Sequence, residues 1–314
     1  MNKPAESFIY LPWPQVERER IKKEGTILRP LSFFQRMKTH MVGLLAMGLI
    51  LAVGVETVSA QQSKTFNNTV PLASGGGLTL KAMKGSVRLT AWDREEVEIH
   101  ARIEVDSSFP EYARRALELT TVEVVGAGRQ VMIRSNSDAV PSQIWFFGIT
   151  HTTPSIHYEI RAPRKVDLQL DIDRSPTTII GFEGKMVLEL DRSELQAENL
   201  AGDVRVNIGR GGDSSFRNIR GSINLTANRT NVRVELLSLN ASSRIEIARG
   251  DADVSVARGQ GFDLTTALTR RADFKADVAL QFRSGDRRNL RASINGGGPR
   301  LSIDADRGSV RLRS

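Results

Sequence analysis

The chain has 314 residues, 40% hydrophobic and 25% charged, enough to bury a sizeable core in one or two domains. It contains no cysteine, which excludes disulfides, iron–sulfur clusters and thiolate zinc sites. The formal net charge is +8, but residues 1–60 hold eight of the Lys and Arg residues and five of the Asp and Glu residues. The remainder, at net +5, is too mildly basic for a nucleic-acid footprint and carries no nucleic-acid-binding motif.

Residues 41–55 (MVGLLAMGLILAVGV) form an apolar run behind Arg36, Lys38 and His40, and Val58-Ser59-Ala60 offers small residues for cleavage before Gln61. The run is shorter than the ~20 residues of a membrane-spanning helix and matches a secretory signal. Starting at Met37 gives a well-formed signal over 37–60, so residues 1–36 read as a mis-called start. The alternative is a short cytoplasmic tail on an uncleaved anchor, the one route by which this chain would hold a membrane. Either way the bulk of the chain is expected to be exported, to the periplasm, outer envelope or cell surface.

From Leu78 onward, alternating residues predict short strands: Leu78 and Leu80, Val87 and Leu89, then Val97 to Ile103, with a turn at Trp92-Asp93-Arg94. A helix is expected over Pro110–Leu119, opened by a first-turn proline, with Tyr112, Ala116 and Leu119 on one face. Gly126-Ala127-Gly128 between two valine-rich runs reads as a hairpin, since a dinucleotide-binding turn needs a third glycine and a following helix. Residues 135–156 read as loop. Residues 61–157 thus form an N-terminal β-rich capping region with one short helix.

From Tyr158 a repeat takes over. Arg174, Arg192, Arg210, Arg229, Arg249 and Arg270 are spaced by 18, 18, 19, 20 and 21 residues. Two positions before them stand Ile172, Leu190, Ile208, Ala227, Ile247 and Leu268; four before stand Leu170, Leu188, Val206, Leu225, Ile245 and Thr266. A second short strand follows each turn, and Gly184, Gly202, Gly221 and Gly261 close successive units, with Ala241 in that place once. A repeat of two strands with no helix, too small to bury its own apolar face, predicts an all-β fold: a single-stranded β-helix, or β-solenoid, over 158–314. A β-sandwich has similar strand spacing but does not require identical columns in consecutive units.

Three features carry a family resemblance: IHYEIRAPRKVDLQLDI at 156–172; the phrases opening at Gly85-Ser86-Val87, Gly202-Asp203-Val204 and Gly221-Ser222-Ile223; and SINGGGPRLSIDADRGSVRL at 293–312. Over roughly residues 66–314 the chain resembles the bacterial β-strand-repeat family called "putative adhesins", a domain of unknown function. The resemblance implies an exported, right-handed β-helix-like fold and brings no catalytic residues with it.

Several constellations remain as candidate sites. Asp171/Asp173, Asp251/Asp253 and Asp304/Asp306 place two carboxylates on one strand face, the arrangement that calcium or the acid and base of a carbohydrate lyase or hydrolase would use. Residues 165–261 lack Tyr and Trp and have only Phe182 and Phe216, a poor lining for a ligand pocket. His151 and His157 lie in a Thr/Pro-rich stretch with Glu159 as the nearest carboxylate, and four Asn-x-Ser/Thr sequons read as turn and strand residues. The expected protein is therefore a binding or scaffold protein without enzymatic activity, cofactor or metal, with a carbohydrate-active enzyme or a periplasmic accessory module as alternatives. Its candidate binding residues are Arg174, Arg192, Arg210, Arg229 and Arg249, stacked as a cationic ridge for an anionic polysaccharide or other envelope polymer. Contact with another envelope protein is the second option, and a solvated turn edge the plain one.

Overall fold

The computed structural model describes residues 62–107, 109–137, 140, 143–145, 148–150 and 153–314. Residues 37–60, read from the sequence as a signal, residues 1–36 and His151 lie outside them. The first elements are β1 (Gln62–Ala82), β2 (Gly85–Trp92), β3 (Glu96–Val105), α1 (Pro110–Leu119), β4 (Thr121–Val125), β5 (Gly128–Asn136), β6 (Gln143–Trp145) and β7 (Gly148–Thr150). There follow β8 (Ser155–Pro163), β9 (Asp167–Asp173), β10 (Thr177–Ile180), β11 (Glu183–Asp191), β12 (Leu195–Glu198), β13 (Ala201–Ile208) and β14 (Ser214–Asn228). The last are β15 (Val232–Leu239), β16 (Ser243–Arg249), β17 (Ala252–Val256), β18 (Phe262–Ala276), β19 (Gln281–Gly285), β20 (Leu290–Ile294) and β21 (Arg300–Arg313). Apart from α1, the regular structure of the described chain is all-β.

Two parallel ladders organise these strands. One runs β5, the second half of β1, β9, β11, β13, the second half of β14, β16, and the first halves of β21 and β18. The other runs β8, β2, β10, β12, the first half of β14, β15, β17, and the second halves of β21 and β18. Antiparallel strands finish the ends: β4 on β5, β3 between β1 and β8, and β20 on β18 with β19 outside it. Because side chains alternate along a strand, each ladder turns one set inward.

The inward columns are unbroken. Ile133, Leu80, Leu170, Leu188, Val206, Leu225, Ile245, Ile303 and Thr266 are consecutive cross-strand partners, and all are buried. On the second ladder Leu89, Ile179, Ala197, Phe216, Val234, Val254 and Leu312 do the same. Each large aliphatic side chain so buried contributes about 1.5–3 kcal/mol. Phe182 and Phe216 are fully buried and belong to this core.

The structure departs from the sequence expectations in three places. The strand that follows β16 in the ladder is β21, not β18: Ile245 faces Ile303, and only then comes Thr266. The chain skips a place at β18, turns back through the β19–β20 hairpin, and fills the gap with its last strand. Residues 135–156 are not all loop, since β5 runs to Asn136, β6 and β7 pair antiparallel, and β8 begins at Ser155. The parallel stacking also begins ahead of Tyr158, with β1, β2, β5 and the start of β8. The helix and the hairpin at Gly126-Ala127-Gly128 form where the sequence places them, α1 burying Tyr112, Ala113 and Ala116 and leaving Leu119 half-buried.

Gly184, Gly202 and Gly221 stand directly opposite one another at the start of their repeats. All three have positive φ (146°, 122° and 117°), and a Cβ on Gly202 would meet the Gly184 carbonyl oxygen at 2.2 Å. Both the conformation and the space demand glycine. Gly202→Ala is expected to cost about 2–4 kcal/mol, read as a lower urea midpoint with an unchanged slope.

Tyr158, inside β8, has a buried hydroxyl without a hydrogen bond of normal geometry. Burial pushes its phenol up to about 12, the Ser135 hydroxyl offsetting part of the rise. A pKa raised in the folded state means stability is intact below the unfolded value near 10 and is lost as pH climbs toward about 12. Tyr158→Phe should remove that part of the alkaline decline and leave stability at neutral pH within about 1 kcal/mol of the parent. Thermal melts at pH 7 and over pH 9.5–11.5 measure both effects.

Candidate functional site

The turn joining the two ladders in each repeat is built from a short polar phrase. After β9 it is Asp173-Arg174-Ser175, after β11 Asp191-Arg192-Ser193, after β13 Gly209-Arg210-Gly211, and after β14 Asn228-Arg229-Thr230. The hydroxyls are buried and bonded back into the turn: Ser175 Oγ donates to Asp173 O (3.2 Å), Ser193 Oγ to Asp191 O (2.9 Å) and Thr230 Oγ1 to Asn228 O (3.4 Å). Ser193 Oγ also accepts the Ser175 amide at 3.1 Å, tying one repeat to the next. These side chains satisfy polar groups that the chain buries as it changes direction.

The arginines take the outside of this turn. Arg174, Arg192 and Arg229 are left-handed, with φ of 51°, 51° and 57°. That conformation costs an L-residue roughly 1–2 kcal/mol, and Gly or Asn adopts it more cheaply. The matching turn on the other side of the repeat shows the economical solution: Gly181, Asn199 and Asn218 have φ of 85°, 56° and 56°, and Asn218 Nδ2 donates to Asn199 Oδ1 at 3.0 Å.

Electrostatically the row divides in two. Asp173 Oδ2 accepts from Arg174 Nε (3.0 Å), while Arg192 grips both Asp173 oxygens through Nε (3.0 Å) and Nη2 (2.9 Å). Asp191 Oδ2 lies 3.1 Å from Arg192 Nε and 3.5 Å from Arg210 Nη2. Two carboxylates therefore serve three guanidiniums. Further along, Arg229 and Arg249 are exposed and have no ion pair among the described residues. The register also slips: Arg249 stands opposite Asn228, not Arg229. Beyond it comes Arg307 of β21, whose carbonyl accepts the Gly250 amide at 3.2 Å, and Arg307 faces Arg271 where the spacing alone points to Arg270. Arg307 and Arg271, both exposed, thus extend the row. The phrase Asp306-Arg307-Gly308-Ser309 carried that signal.

The carboxylate pairs do not converge. Asp253 pairs with Arg313 and Arg233, Asp304 with Arg244, and Asp251 accepts the amide (2.8 Å) and hydroxyl (2.9 Å) of Ser309. His157 shares a hydrogen bond with Ser86 Oγ (2.9 Å) and lies 3.4 Å from Glu104, while His100 meets Asn67 and Glu98. No group of three potential metal ligands occurs among the described residues. No helix among them is long and apolar enough to cross a membrane.

No family model matches the chain, and no curated protein matches it. Solved structures do resemble it. A "putative cell adhesion protein" of Clostridium sporogenes is 14% identical, with 80% of this chain and 99% of that one covered, at a TM-score of 0.36. A "putative adhesin" of Parabacteroides distasonis is 11% identical over 79% and 97% of the two chains, with a TM-score of 0.36. One of Bacteroides fragilis is 10% identical over 80% and 96%, with a TM-score of 0.30. With TM-scores below 0.5, these likenesses decide nothing about what this chain does.

Asp173 is the hinge of the neutralised end. Asp173→Asn should leave Arg174 without its carboxylate partner and Arg192 with Asp191 alone. The expected loss is below about 1 kcal/mol, as for exposed ion pairs, present at 20 mM salt and gone by 0.5 M, where salt screens the attraction. Urea unfolding at the two ionic strengths measures it.

Proposed function

We propose that the chain is an exported, non-enzymatic binding scaffold of the bacterial envelope or surface, built as a β-solenoid, which grips an acidic polymer along its row of turn arginines. The observation that carries this reading is the run of Arg229, Arg249, Arg307 and Arg271, exposed on adjacent strands and without an ion pair among the described residues; Arg229 also keeps a left-handed backbone. A turn that only had to reverse the chain would be cheaper with Gly or Asn, as its counterpart at Gly181, Asn199 and Asn218 illustrates. Keeping arginine there favours a role for its side chain.

The charge pattern divides that role. Arg174, Arg192 and Arg210 are drawn to Asp173 and Asp191 and hold the turns together. Arg229, Arg249, Arg307 and Arg271 stand at consecutive repeats with no ion pair among the described residues, so they are the binding half of the ridge. At ~4.8 Å per strand their three gaps span about 14 Å. A flexible acidic polysaccharide lying along this line meets several guanidiniums at once, each able to bind a carboxylate or sulfate in bidentate fashion.

Retention on an alginate or heparin column tests the assignment. Arg229→Gln, Arg249→Gln and Arg307→Gln combined should abolish retention at 50 mM salt, whereas the same change at Arg88, Arg129 and Arg205, free arginines elsewhere, should leave it intact. Arg229→Asn alone should weaken retention while raising the melting temperature, because it relieves left-handed strain. Equal elution of the triple variant and its control would return the row to a solvated turn edge.

A further inference from the structure

A second feature adjoins the last member of the arginine row, at the end of the stack where β18 is the last parallel strand. The first half of β18 is covered by β20, but its second half, from Arg271 to Ala276, pairs only with β21 among the described residues. Where one more strand would sit there is an open cleft of about 1000 Å³. Its apolar walls include Phe274, Leu280 and Leu290, which pack against the core, and Phe282. Phe282 is 63% exposed, the most exposed large apolar side chain described. An apolar surface of this kind at the end of a repeat stack is ordinarily closed by a polar cap, and here it is left accessible.

The rim is cationic. Arg270, Arg287 and Arg288 line the cleft and have no ion pair among the described residues. Two carboxylates share the rim, Asp273 and Asp286. Asp286 is engaged by the backbone: its Oδ1 accepts the amides of Asn289 (2.8 Å) and Arg288 (2.7 Å), which, with a smaller contribution from the Arg288 charge, holds its carboxyl below the usual range. The same turn is fastened to β18, since the Arg288 carbonyl accepts from Leu268 N (3.0 Å) and Thr266 Oγ1 (3.2 Å), and Thr266 Oγ1 accepts the Leu290 amide (3.0 Å). Arg287 and Arg288 are therefore presented from a fixed hairpin tip over an apolar floor.

We infer that this cleft binds a single-chain anionic lipid, a free long-chain fatty acid being the simplest. The alkyl chain lies against Phe274, Leu280, Phe282 and Leu290, and the carboxylate is held by Arg287, Arg288 and Arg270. A concave apolar site with a few placed charges is the general form of a small-ligand pocket. The excess of guanidinium over carboxylate selects an anionic head and turns away a neutral one. The site uses none of the arginines of the row, so either can fail without the other.

The test is titration of the full chain with cis-parinaric acid, a fluorescent fatty acid. Saturable binding is expected, displaced by oleate but not by oleyl alcohol, which has the chain without the charge, nor by acetate, which has the charge without the chain. Phe282→Asp should weaken binding about tenfold or more, from the lost apolar contact, and folds normally because Phe282 is exposed. Arg287→Gln with Arg288→Gln should weaken oleate and leave the melting temperature unchanged. Neither variant should alter retention on the polysaccharide column. The proposal is overturned if oleyl alcohol displaces the probe as well as oleate does, or if Phe282→Asp binds like the parent. It is equally overturned if light scattering shows a dimer that Phe282→Asp dissociates while the probe fails to bind, for then a second copy fills the cleft.

Discussion

The structure depends on the register between one repeat and the next. Parallel pairing fixes Leu170 against Leu188, Leu188 against Val206 and Val206 against Leu225, and a slip of one residue in any strand would turn its buried set to solvent. No single repeat has enough apolar surface to fold alone, so each strand is held by the two beside it. Everything polar in the turns follows from this register. Ser175, Ser193 and Thr230 must bond their own backbone because the stack buries them, and Gly184, Gly202 and Gly221 must be glycine because the backbones approach too closely for a Cβ.

The same register makes like charges neighbours. Two guanidiniums ~5 Å apart repel by roughly 0.8 kcal/mol in bulk water, and less where salt screens them. At Arg174, Arg192 and Arg210 that cost is offset by Asp173 and Asp191, which lie one residue back in the same turns and bridge across repeats. At Arg229 the preceding residue is Asn228, and at Arg249 it is Ala248, so the offset is missing. The chain thus has a neutralised stretch and an uncompensated stretch of one row.

Much of the fold was legible in the sequence because period-two alternation and a near-constant repeat length are direct consequences of stacking. The columns at Leu170, Leu188, Val206 and Leu225, the helix at Pro110–Leu119 and the hairpin at Gly126 are local or nearest-neighbour features. The order of the last strands was not legible. Placing β21 between β16 and β18 requires the chain to pass a vacant position and return, and no local periodicity records that. The one-residue slip at Arg249 was hidden for a similar reason: a bulge shifts the side chain without disturbing the spacing of apolar residues around it. The arginines themselves were visible, but which of them are neutralised depends on side-chain geometry across repeats. The cleft at Phe282 was invisible, since Leu280-Gln281-Phe282 read alone looks like any half-buried strand.

The out-of-order strand accounts for that cleft. A stack that grows in chain order ends with the C-terminal strand outermost, and its last segment can fold back as a cap. Here the C-terminal strand is internal, paired on both sides by β16 and β17 on one flank and β18 on the other. Among the described residues, β18 is covered by the connection between β18 and β21, in the short β19–β20 hairpin. That hairpin covers the first half of β18, and its five-residue strands do not reach residues 271–276. The inner position lets β21 bury Leu301, Ile303, Val310 and Leu312, a larger apolar surface than an outermost strand could hide. The exposed apolar end around Phe274, Leu280 and Phe282 is the counterpart of that burial, and it lies beside the turn that carries Arg287 and Arg288.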